Sequence, residues 1–90
     1  MIVPIVTLGG SDPESILDSY REARVALRIA MDSVRRCVPH PRDFREVDYL
    51  GAIIEHKDRL AAILTIIDQY EMLAADVICQ QDQREKAVEP

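Results

Sequence analysis

Tryptophan is absent from this chain of 90 residues, phenylalanine occurs once and tyrosine three times, so few large anchors are on hand for a core. Positive charge is in short supply too: 16 acidic residues against 11 basic ones leave a net charge of −5. Nucleic-acid binding rests on neutralising phosphates with a basic surface. The acidic balance therefore argues against a nucleic-acid polymer as partner, and against an anionic membrane surface. The opening stretch from Met1 to Leu8 has no basic region, contains Pro4 and ends in Gly9-Gly10. It is expected to be neither a signal peptide nor a membrane span. Cysteine is limited to Cys37 and Cys79, expected at opposite poles of the fold. Disulfide geometry needs Cα atoms within about 7 Å, so no bridge within the chain is expected, which fits a reducing compartment. A cytoplasmic protein is the default expectation.

What is present is helical periodicity. Ser11-Asp12-Pro13-Glu14 reads as a helix start, with Ser11 and Glu14 forming a capping box or Asp12 capping a helix whose first residue is Pro13. From there Ile16, Tyr20, Ala23, Leu27, Ala30, Val34 and Cys37 recur at alternating spacings of four and three, the seam of a helix packed lengthwise on another. A longer seam follows: Tyr49, Ile53, His56, Leu60, Ile63, Ile67, Tyr70, Ala74 and Val77, with His56 its one strongly polar member. Leu50, Ile54, Leu64, Ile66, Leu73 and Ile78 flank that seam and widen it beyond what one partner helix covers. Leaving such side chains wet forgoes about 1.5–3 kcal/mol each, and a single core of about 70–80 residues rarely supplies more than a few kcal/mol. Self-association is the economical solution. The interface is expected at Ile54, Leu64, Ile66 and Leu73, with His56 fixing register or partner choice.

Between the two patterns lies Cys37-Val38-Pro39-His40-Pro41-Arg42-Asp43-Phe44, which holds a thiol, an imidazole, an arginine and a carboxylate. Each proline removes an N–H donor and pushes the residue before it out of the helical region, so the segment reads as a corner. Cys37 and His40 have the spacing of two metal ligands, but a zinc site needs three or four and His56 should lie several turns away. No orienting third group supports a Cys–His nucleophile pair. Gly9-Gly10 before a helix start reads as a joint, since no strand or lysine motif flanks it. No catalytic residue, metal or cofactor is expected, and the chain is read as not an enzyme.

The expected fold is all-α: an antiparallel helical hairpin of two long helices with an extended N-terminal arm, assembling into an oligomeric helical bundle. Residues 1–10 form the arm and 11–80 the hairpin domain. Within it, helix A spans about 12–38, the turn 39–43 and helix B about 44–80. Residues 81–90 form a polar, disordered tail.

Seven of the eleven basic residues fall between positions 21 and 45, and all seven are arginine. Arginine offers a planar fork suited to carboxylate or phosphate. The reading is a basic end near the corner and an acidic far end. The bland alternative is pairing along each helix, as in Asp18–Arg21 or Asp32 with Arg28 or Arg35.

The run His40-Pro41-Arg42-Asp43-Phe44, followed by Glu55-His56 and Arg59-Leu60-Ala61-Ala62-Ile63, resembles a pattern in small tailed-phage accessory proteins. The resemblance covers roughly residues 37–67 and implies a phage or prophage origin. Such proteins often antagonise the host by binding a defence or regulatory protein or by sequestering a signalling nucleotide. In layout the chain is also similar to the phage cyclic-oligonucleotide sponges, helical hairpins that hold ligand between subunits. The leading expectation is therefore a homo-oligomeric antagonist in the host cytosol. It would present Arg24, Arg28, Arg35, Arg36 and Arg42 to an acidic surface of a host protein. The alternative is a sponge for a small anionic nucleotide, with those arginines clamping phosphates and Tyr20 or Tyr49 stacking on a base. A structural component of a phage particle is the third reading.

Overall fold

The computed structural model describes residues 1–7 and 9–88. Its helices are α1, Pro13–Arg35, and α2, Glu46–Val88, joined by a corner that holds a single 3₁₀ turn, Pro41–Asp43. Among the described residues there is no strand, and no helix is long and apolar enough to cross a membrane. The two helices pack against each other as a helical hairpin.

Of the two starts expected for α1, the structure takes the second. Asp12 holds the N-cap position, Pro13 follows it, and the Asp12 carbonyl accepts from the Ile16 N–H at 3.1 Å. No side chain caps the helix, so the Ser11–Glu14 box does not form. Proline at the first position costs nothing there, because its missing N–H would have had no helical partner. α1 ends at Arg35, three residues short of the expected 38. The Arg36 N–H donates to the Ser33 carbonyl at 3.2 Å and the Cys37 N–H to the Val34 carbonyl at 2.9 Å, so the last turn tightens before Pro39 forces extended backbone.

The corner is fastened by its own histidine. His40 is extended, its Nδ1 accepts the Arg42 N–H at 3.2 Å, and its carbonyl accepts the Asp43 N–H at 3.0 Å. α2 then starts at Glu46, two residues after the expected 44. Arg45 occupies the cap position: its carbonyl accepts from the Tyr49 N–H, and its Nε meets Asp48 at 3.2 Å.

At the other end the expectation of a disordered tail over 81–90 is corrected, because α2 continues to Val88. Positions 89 and 90 lie outside the described residues, as does Leu8 of the arm. Gln81, Gln83, Arg84, Glu85 and Lys86 are good helix formers, and no Gly or Pro intervenes before Pro90.

All nine seam positions of α2 are buried or half-buried. On α1 the seam holds at Ile16, Tyr20, Ala23, Leu27 and Val34, while Ala30 and Cys37 are exposed. Tyr20 meets Tyr70 with ring centroids 5.7 Å apart at a 51° tilt, within the range of favourable aromatic pairs. The arm lies on the far end of α2. The Val6 N–H donates to Gln80 Oε1 at 2.8 Å, and Gln80 Nε2 donates to the Pro4 carbonyl at 2.8 Å. Gln80 thus offers the arm an acceptor and a donor side by side, as a neighbouring strand would.

The apolar core so formed is small. Among the described residues Val6, Ile67, Ala74 and Val77 are the buried apolar side chains. The molecule measures 69 × 19 × 19 Å, and its radius of gyration is 19.5 Å. A compact domain of this length would have about 12 Å.

Candidate interaction surfaces

Grooves open between the helices, and two of them are lined by described residues. The first, of about 510 Å³, is lined by Leu17, Asp18, Arg21 and Arg24 of α1 and by Glu71, Ala74, Ala75 and Ile78 of α2. Arg28 Nη2 meets Glu71 Oε1 at 2.7 Å, the ion pair that joins the helices. The second groove, of about 410 Å³, lies at the corner and is lined by Val34, Cys37, Pro39, Phe44, Ala52, Glu55, His56 and Arg59.

The hairpin separates the arginines that the sequence groups together. Arg21, Arg24 and Arg28 lie beside residues 71–78 of α2, away from the corner. The expectation of a basic corner end is therefore corrected. Between positions 32 and 59 six bases (Arg35, Arg36, Arg42, Arg45, Lys57, Arg59) stand with six acids (Asp32, Asp43, Glu46, Asp48, Glu55, Asp58), so that end is balanced and the negative excess lies at the far end. A fold that doubles back pairs residues distant in sequence, and density along the chain does not carry over into space.

Several of the expected binding residues already have partners. Arg35 pairs with Asp32 at 3.3 Å and Arg21 with Asp18 at 3.4 Å, both along α1. Arg28 is held by Glu71 and Tyr20 by Tyr70. Arg24 is half-buried, Arg36 and Arg42 are exposed, and among the described residues none of these three enters an ion pair within 4.0 Å. Tyr49 is half-buried near the start of α2, and Tyr70, the partner of Tyr20, is 21 residues further along that helix. At about 1.5 Å per residue that separation is about 30 Å, so the two expected stacking tyrosines do not belong to one site.

Of the expected oligomer contacts, Ile54, Leu64 and Ile66 are exposed and Leu73 is half-buried. His56 is corrected: it is buried in the seam of the hairpin itself and is not on the outer strip. The corner groove opens beside it. Cys37 and Cys79 are free and exposed, and Cys37 Sγ contacts the Ser33 carbonyl at 3.5 Å. Among the described residues no three His, Cys, Asp or Glu side chains gather to hold a metal ion. His40 spends its Nδ1 on the corner itself.

The sequence reading missed two features. One is the Gln80 clamp, which nothing in the pattern announces. The other is Val47 (86% exposed), which stands with Leu50 (69% exposed) and Ile54, two residues the sequence did single out, where α2 begins beyond the end of α1. Comparison with protein-family models, with curated proteins and with solved structures finds no match for this chain.

Proposed function

We propose that this chain is a non-enzymatic interaction protein: an antiparallel hairpin that works as a homo-oligomeric helical bundle and blocks a host defence or regulatory protein in the bacterial cytoplasm. The observation that carries the oligomer is surface area. The chain exposes 7043 Å², whereas a compact monomer of 10.2 kDa exposes about 5,300 Å². The excess of about 1,700 Å² per chain is about twice the ~800 Å² per partner that a standard protein–protein interface buries. Four buried apolar side chains are too few to hold a helix pair of this length on their own.

The host target rests on the resemblance to phage accessory proteins, and the exposed corner end suits such a partner. Val47, Leu50 and Ile54 provide apolar anchors there, while Arg36 and Arg42 are unpaired rim charges at the same end. Anchors give affinity, and rim charges set on-rate and selectivity. A nucleotide sponge has less support. The groove that holds Arg21 and Arg24 also holds the carboxylates of Asp18 and Glu71, which repel a phosphate.

Native mass spectrometry on protein purified gently from bacterial cytosol reads the stoichiometry and any co-purifying mass together. An oligomer carrying a host polypeptide supports this reading. An oligomer carrying a few hundred extra daltons per site would replace it with the sponge, and a bare monomer would remove the oligomer altogether.

A further inference from the structure

Cys37 and His56 line the same groove, although His56 lies about 15 Å along α2 from its start at Glu46. The corner doubles back, so the end of α1 lies beside residues 52–59 of α2 and not beside its first turn. The groove that results has a volume of about 410 Å³, within the ~300–1,000 Å³ usual for small-molecule sites. Its walls include Val34, Pro39, Phe44 and Ala52. Phe44, the one phenylalanine of the chain, is exposed there and enters no aromatic pair among the described residues.

His56 is the unusual member of this lining. It is only 6% exposed, yet among the described residues it enters no hydrogen bond or ion pair. No side-chain nitrogen or oxygen among those residues is both sealed from solvent and without a partner. The ring nitrogens of His56 must therefore keep an opening to solvent, and the groove that His56 lines is that opening. A polar group buried without a bond carries a desolvation penalty that a ligand can relieve.

Charge narrows the choice of ligand. Glu55 and Arg59 meet at 3.4 Å at the mouth, where both side chains are exposed, and their charges cancel. The mouth thus exerts no net pull on an ion, and the apolar walls penalise one. A hydroxyl suits His56 in any state of its ring, because it donates to a bare nitrogen and accepts from an N–H. Phe44 and Pro39 suit a flat ring laid against them.

We propose that the corner groove binds a small uncharged aromatic alcohol, its ring against Phe44 and Pro39 and its hydroxyl hydrogen-bonded to His56. Such a ligand differs in charge from the nucleotide considered above. The site is complete within one chain, so it stands whether or not the chain associates.

Cys37 reports occupancy. It is free, exposed and part of the groove, whereas Cys79, also free and exposed, lies about 35 Å further along α2 than His56. With 2-naphthol as the probe, alkylation of Cys37 by iodoacetamide should slow several-fold as the probe is titrated, while Cys79 reacts at an unchanged rate. Peptide mass spectrometry reads both thiols in one sample. The anion 2-naphthoate should protect Cys37 far less. His56→Leu suits a seam in which His56 is the one strongly polar member, and the circular dichroism should stay helical. That variant should bind 2-naphthol about fivefold more weakly, the worth of one hydrogen bond, and naphthalene, which has no hydroxyl, no more weakly than before. Phe44→Ala, outside the seam, should weaken both. An unchanged rate at Cys37 with 2-naphthol overturns the proposal, as does protection that His56→Leu leaves intact or that 2-naphthoate matches.

Discussion

Adjacent isoleucines on α2 allow the small core to be weighed against the proposed interface. Ile67 is 2% exposed and sits in the seam, whereas Ile66 is 41% exposed on the outer surface. Ile67→Ala removes three carbons from the seam, a loss of about 2.4 kcal/mol at about 0.8 kcal/mol each. The cavity left behind brings the total to about 3–4 kcal/mol. A chain of this size has roughly 5–13 kcal/mol in all, so the variant forfeits a large share. In a domain of this size each kcal/mol moves the melting temperature by roughly 4–8 °C, which implies a fall of at least about 12 °C. The assay is urea and thermal unfolding followed by helicity, at several protein concentrations, with Ile66→Ala beside it. Ile67→Ala should cost about the same free energy at every concentration. Ile66→Ala should cost little in dilute protein and more as concentration rises. A cost below about 1 kcal/mol for Ile67→Ala, the level of an ordinary surface change, would refute the placement of the core.

Three further outcomes follow from local geometry. Gly51 lies inside α2 with no atom within 4 Å of a would-be Cβ. Gly51→Ala should therefore stabilise the chain by about 0.5–1 kcal/mol, read as a higher urea midpoint. Gln80→Ala removes both hydrogen bonds that dock the arm. The Val6 amide should then exchange with deuterium much faster while amides in the middle of α2 keep their protection; unchanged exchange at Val6 would show that apolar contact alone holds the arm. The Arg28–Glu71 pair is short, but its side chains are 60% and 43% exposed. A double-mutant cycle should give a coupling of no more than about 1 kcal/mol, falling with added salt.

Much of the hairpin was legible because its causes are local or periodic. The nine-residue seam of α2 announces itself by spacing, and each of its positions is buried or half-buried. Pro39 and Pro41 mark the corner because proline acts on its own backbone and on the residue before it. The end of α2 was not legible, since a polar run reads equally as a solvated tail or as a solvated helix. The scatter of the arginines was invisible for another reason: which α2 residues face positions 21–28 depends on corner length and register. Ala30 and Cys37 fit the seam by spacing but are exposed, although Val34 between them is half-buried and Cys37 lies past the end of α1. The Gln80 clamp has no sequence signature at all, because it depends on where the arm comes to rest.

The size of the core links these observations. Val6, Ala74 and Val77 lie at the arm end and Ile67 at the middle of α2, whereas the half of α2 nearer the corner buries only His56. That half is held by the capped corner and by half-buried side chains, and it opens into a groove. Stability within one chain should therefore be uneven, with the corner half opening at a lower free energy than the arm half. Association that covers the looser corner half would stabilise the segments that need it most. Anything that binds only the folded form stabilises it by mass action. The melting temperature should accordingly rise with protein concentration, and amides of residues 50–58 should gain more protection on association than those of residues 70–78. Equal gains along α2 would argue against an interface at the corner half even if the chain is an oligomer.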